Sequence, residues 1–179
     1  MNIFYVDSDP IIAAQNLVDR HVVKMILESA QLLCTAHRVL DGREIVTYTK
    51  NNRRQKYWLI ESDNRETILY KATHVNHPSA VWARTSVENY NWLFDHFHAL
   101  GNEYTFRYGK KHKCLRGEMP LLLSAPPHKL RDFDFTTPPS AMAPEYIVSE
   151  DPVQNYRNYY KNGKSRLHQW TSRTPPSWM

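Results

Sequence analysis

The run from Val18 to Arg38 constrains this chain most, because it reads as a helix that is apolar around most of its circumference. At about 100° per residue, Arg20, His21, Lys24, Glu28, Gln31, Thr35 and Arg38 share an arc of roughly 100°. Val22, Met25, Ile26, Leu32, Leu33 and their neighbours fill most of the remainder. A surface helix buries one stripe and solvates the rest. This one reverses the proportions, so it must run through the middle of a helical protein. Its narrow polar stripe is then expected to line a cleft.

The rest of the chain fits around that helix. Asp9 is placed to cap a helix whose first residue is Pro10, running to about Leu40 and ended by Asp41-Gly42. The runs Ile45–Thr49, Tyr57–Ile60 and Thr67–Tyr70 are β-branched and aromatic, so 43–73 reads as a β-hairpin inserted between helices. Pro78 to Tyr108 is helical again, with Leu93, Phe97, Leu100 and Tyr104 on one face and Gly109 as the stop. A shorter helix is expected over 111–123, a long surface loop over 124–144, and a last helix from Asp151-Pro152 to about Gly163. The fold class is therefore mainly α: a single-domain helical bundle over 1–179 with a small β-hairpin insertion.

Composition narrows the function classes. The net charge is +5 with 5 Trp, 11 Tyr and 6 Phe, which suits a polyanionic partner such as DNA or a nucleotide. No run of 18 apolar residues occurs, so no membrane partner is expected. The N-terminal stretch lacks a basic region followed by an apolar one, so a cytoplasmic protein is expected. Cys34 and Cys114 form no C-x-x-C pair, and Cys34 reads as a buried thiol.

Three clusters carry candidate chemistry. On the central helix His21 and Glu28 point nearly the same way, and Lys24 lies one turn from Glu28. Glu28 is the candidate general acid or base; Lys24 is its ion-pair partner, a phosphate contact or an amine nucleophile. His74, Asn76 and His77 precede a helix start, where phosphate would find an anion site and where His77 would also serve as a cap. His-x-x-His lacks a third ligand, so neither a metal nor another cofactor is expected. Arg84, Asn89 and His96 decorate the next helix, with the central stripe as the expected partner of Asn89 and His96. Tyr156-Arg-Asn-Tyr-Tyr-Lys161 and Lys164 interleave rings with cations, a pattern that stacks on bases and neutralises phosphates.

Asp19-Arg-His-Val-Val-x-x-x-x-Glu28 resembles the first helix of the phage pyrimidine-dimer DNA glycosylases (endonuclease V), where a His precedes the catalytic Glu by the same spacing. His77-Pro78, Arg84, Asn91-Trp92-Leu93, Glu103-Tyr104 and Arg107-Tyr108-Gly109 resemble a segment of bacterial relatives. Tyr156 to Lys164 resembles the aromatic-basic C-terminal segment of the phage enzyme. The resemblance implies a mainly helical, bifunctional glycosylase/AP lyase, located in the host cytoplasm if phage-encoded. An amine attacks the sugar C1′ and a Schiff base precedes strand cleavage. Glu28 matches the catalytic Glu, and the amine is that of Met1, Asn2 or Lys24. Leu27 and Gln31 stand where the family has two arginines, which leaves the base open.

The sequence thus predicts a glycosylase-like enzyme acting on damaged or modified bases. Glu28 is the acid/base, with His21, Gln31 and the His74–His77 loop around the sugar phosphate and Trp82 or Trp92 beside an extruded base. The alternatives are a small-nucleotide hydrolase or transferase using the same cleft, and a non-catalytic nucleic-acid-binding or host-interaction protein.

Overall fold

In the computed structural model, which describes residues 1–61 and 63–179, Asp9 caps α1 (Pro10–Asn16) by accepting from the backbone N–H groups of Ile11 and Ile12. The expected single helix is broken after Asn16. Leu17 and Val18 are extended and fully buried, and α2 (Asp19–Asp41) starts after them. Their burial is what favours the break.

α2 is the centre of the protein. Met25, Ile26, Leu32 and Leu33 on it are fully buried, as are Leu93, Phe97 and Leu100 of α5 (Val87–Tyr108), against which it packs. α4 (Pro78–Ala83) precedes α5, so the expected helix 78–108 is also two helices. Ser86 restarts it by accepting from the N–H of Asn89. Gly109 ends α5 at φ 65°, a conformation that costs glycine little. The expected helix over 111–123 resolves into a 3-10 turn at Lys113–Leu115 and a short α6 (Met119–Leu123). Residues 124–143 contain no helix or strand. α7 (Pro152–Gly163) closes the bundle, capped by Asp151.

The hairpin consists of β1 (Arg43–Tyr48) and β2 (Arg54–Leu59), antiparallel, with Arg43 opposite Leu59 and Tyr48 opposite Arg54. The third run, expected as strand, pairs with neither strand: Thr67 and Ile68 belong to a helical turn, α3 (Arg65–Ile68), and Leu69 is extended beyond it. Two charged side chains, the buried Arg65 and the half-buried Glu66, decide this. Arg65 bonds Asp41 and Asp63, while the adjacent Glu66 takes the Arg38 guanidinium and the Ile60 N–H. Arg38 is 1% exposed, and all three of its nitrogens are engaged, reaching the Tyr57 hydroxyl and the carbonyls of Trp58, Glu66, Leu69 and Tyr70. These contacts bind the hairpin base to the end of α2. At Gly42 a Cβ would meet the Arg38 carbonyl at 2.4 Å, so only glycine lets the chain turn there.

The fold is therefore mainly α with one small hairpin. No helix among the described residues is long and apolar enough to cross a membrane.

Candidate functional site around Glu28

The exposed ridge of α2 is Arg20, Val23, Lys24 and Leu27, with Gln31 half-buried beside it. His21, Glu28 and Thr35 lie along one edge of this ridge and are buried, a division that the wheel does not separate. Arg38 is buried by the hairpin at the helix end. The covering element is residues 2–6, an irregular segment that turns at Phe4 and in which Ile3, Phe4, Tyr5 and Val6 are at most 6% exposed. Chain ends usually fray. This one is wedged into the core.

The wedge brings the Asn2 backbone nitrogen to 3.0 Å from Glu28 Oε2. Asn2 holds itself there. Its Oδ1 accepts from the N–H groups of Ile3 and Phe4 at 2.7 and 2.9 Å, and its Nδ2 donates to the Ala141 carbonyl at 2.8 Å. Tyr156 fixes that loop in turn, accepting from the Ala141 N–H and donating to the Pro139 carbonyl. The other oxygen of Glu28 receives Lys24 Nζ at 3.0 Å. The Lys24 side chain is 68% exposed, so this pair contributes only about 0–1 kcal/mol to stability.

The loop 73–77 reaches the same place. Thr35 Oγ1 accepts from the Thr73 N–H and donates to its carbonyl, tying the loop to α2. His77 caps α4 by accepting at Nδ1 from the Ser79 N–H, while His74 adopts φ 50° and meets Thr73 Oγ1 at 2.8 Å. Burial, then the positive charges of the Met1 amine and His74, push His77 below its ordinary value, and Glu28 pulls the other way. Met1, His74 and Glu28 thus each act on His77, and Asn76 is exposed on the same loop.

His21 is engaged elsewhere. Its Nδ1 shares a 2.5 Å hydrogen bond with the Tyr160 hydroxyl, and its ring stacks on Phe4 with centroids 4.1 Å apart. Burial, helped by Lys164 and Lys24, lowers its pKa to about 3, so the ring is neutral. Lys164 lies over the Tyr159 ring, and Lys161 is exposed on α7.

Three other candidates lie apart from Glu28. Asn89 bonds the Trp82 carbonyl and Thr136, and His96 Nδ1 meets the Pro10 carbonyl, so neither uses the central stripe as expected. Arg84 turns back to the Ala80 carbonyl. Trp82 and Trp92 are core residues packed edge to face, with their N–H groups on the Thr136 and Ser8 carbonyls. They wall no pocket at Glu28. An apolar cleft of about 760 Å³ beside α5, lined by His98, Lys111, Leu115 and Leu121, shares no residue with this site.

Sequence reasoning passed over Phe4, Tyr160 and Thr73 as partners. The short apolar run at 3–6 carries no periodic signal, and Tyr160 reads as one ring of the aromatic-basic cluster, so nothing in the sequence pairs either with His21. Among the described residues no group of three or more His, Cys, Asp or Glu is arranged to hold a metal. No protein-family model matches the chain, and neither does any curated protein or solved structure compared with it.

Proposed function

We propose that the protein is a DNA glycosylase/AP lyase-like enzyme acting on damaged or modified bases, with Glu28 as acid/base and the Asn2 nitrogen as nucleophile. The observation that carries this reading is the 3.0 Å separation of the Asn2 nitrogen from Glu28 Oε2, held by a core-buried chain end. That nitrogen is an amide while Met1 precedes it. Removal of Met1 makes it a primary amine already within reach of a carboxylate.

The amine lone pair forms a bond to the sugar C1′ as the C1′–N bond to the base breaks, and the base leaves with its electron pair and takes up a proton. Glu28 accepts the proton shed by the attacking nitrogen and returns it to O4′ as the C1′–O4′ bond opens, which leaves an iminium. Loss of a C2′ proton expels the 3′ phosphate. Hydrolysis of the imine frees the amine. His74, Asn76 and His77 are at hand for the phosphate, with Gln31 one turn along α2 from Glu28 and Lys161 and Lys164 at the end of α7.

Borohydride reduction of the iminium tests this directly. DNA with abasic or modified sites should yield a covalent adduct whose protein end maps to Asn2 by peptide mass. Glu28→Gln should lower the trapping rate by about 10²–10⁴-fold. An adduct mapping to Lys24 would reassign the amine; no adduct across a panel of lesions would remove the mechanism.

A further inference from the structure

We propose that the β1–β2 hairpin is a second DNA contact, an arm that grips duplex phosphates away from the Glu28 site. Residues 48–56 contain Lys50, Arg53, Arg54 and Lys56 and no carboxylate. Lys56 pairs with Glu44 at 2.9 Å. No carboxylate among the described residues pairs with Lys50, Arg53 or Arg54, and all three are exposed.

The arm is built to present these charges. Thr49 closes the turn by accepting at Oγ1 from the Arg53 N–H and at its carbonyl from the Asn52 N–H, with Asn52 at φ 55°. Asparagine tolerates that conformation better than most residues, so the tip holds a defined shape. Tyr48 and Arg54 are register partners and therefore share a face, with Tyr48 62% exposed. The base is fixed by the buried Arg38. A rigid base with a cationic, acid-free tip fits a polyanion. A second copy of the same tip would meet like charge.

The identity of that polyanion as DNA rests on the function proposed above; the arm's geometry does not. From Glu28 to Gly42 the helix rises about 20 Å, and a strand of this length adds up to about 20 Å. At 3.4 Å per base pair the arm meets the duplex up to about 12 base pairs from the reacting sugar, and about 6 if it stands square to α2.

The test compares the full-length wild type with Lys50→Gln/Arg53→Gln/Arg54→Gln on duplexes carrying a tetrahydrofuran abasic analogue, which binds without turnover. Each lost phosphate contact should reduce the salt slope by about 0.9. Between 50 and 200 mM salt the wild type should therefore lose about 40-fold more affinity than the triple variant. Trimming the flank on one side below about 6 base pairs should abolish the difference. Arg53→Lys/Arg54→Lys should keep the wild-type slope and controls for misfolding. Equal slopes for wild type and triple variant, or no duplex binding by either, overturn the arm. A changed slope without any borohydride adduct leaves the arm standing and removes the glycosylase reading; an adduct with equal slopes does the reverse.

Discussion

Phe4 stacks on His21 with ring centroids 4.1 Å apart and an interplanar angle of 19°, from a backbone held at φ 56°. A bulky residue in the left-handed region is strained, and only strong surroundings keep it there. Here those surroundings are Tyr156, Tyr159 and Tyr160 around the ring, and the Asn2 carboxamide that accepts the Phe4 N–H. The strain lies two residues from the nitrogen that faces Glu28. Phe4→Ala should destabilise the protein by about 3–5 kcal/mol through the cavity it leaves. It should also slow adduct formation at temperatures where the fold persists. Denaturant titration and trapping rates measured on the same variant separate the two effects; an unchanged rate would mean the stack does not position Asn2.

Arg38 gives a second expectation. Its guanidinium is buried with every nitrogen bonded, so removing it leaves four backbone carbonyls without their donor and takes its counter-charge from Glu66, which keeps only the Tyr57 hydroxyl and the Ile60 N–H. Arg38→Met should cost about 3–5 kcal/mol, far more than the exposed Arg43–Glu61 pair, for which Arg43→Gln should cost at most about 1 kcal/mol. Urea denaturation midpoints compare the two. Because Arg38 anchors the hairpin, limited proteolysis should cut first within 43–59 in Arg38→Met.

Much of this was legible from local chemistry. Asp9-Pro10 and Gly109 mark helix ends whose capping groups are local, and the hairpin strands carry β-branched residues in β1 (Ile45, Val46, Thr47) and aromatic ones in β2 (Tyr57, Trp58). The breaks at Leu17–Val18 and before Ser86 were not legible, because both lie inside apolar periodicity and are decided by packing. Thr67–Tyr70 reads as strand on composition, yet Thr67 and Ile68 belong to the helical turn from which Arg65 and Glu66 meet Asp41, Asp63 and Arg38. Glu28 stood out on the wheel. What covers it did not, since Asn2 lies 26 positions away in sequence and meets it only in the folded chain.

Acid stability follows from three buried histidines. Burial lowers His21 to about 3 and both His37 and His96 to about 4. Each is neutral when folded and titrates near 6.5 when unfolded. As pH falls below 6.5, the unfolded chain gains protons that the native state refuses, so stability is lost between about 6.5 and 4. The slope approaches about 1.4 kcal/mol per pH unit for each histidine. Asp19, Asp41 and Glu66, held below their ordinary values despite burial by their hydrogen bonds, extend the loss to lower pH. Unfolding free energies from pH 7 to 5 should therefore fall steeply. His37→Gln, which keeps a partner for Tyr90, should lower the proton uptake by about one. An unaltered pH slope in that variant would show that His37 is not buried neutral.

Arg107, near the end of α5, makes the contacts of a clamp. It is fully buried and donates to Glu103 at 2.6 Å, to Asp19 at 2.8 Å and to the Gln15 carbonyl at 2.9 Å. Asp19 also receives the Thr171 N–H and hydroxyl, and Glu103 receives Arg173, so one ion cluster joins α1, α2, α5 and the C-terminal tail. Lysine cannot reproduce three divergent donors from a planar head. Arg107→Lys should thus lower stability by about 3–5 kcal/mol, the scale of a broken buried pair. Its trapping rate, measured well below the new melting temperature, should match wild type because none of these partners touches Glu28 or Asn2. A rate that falls while the melting temperature holds would move Arg107 from the scaffold into the reacting site.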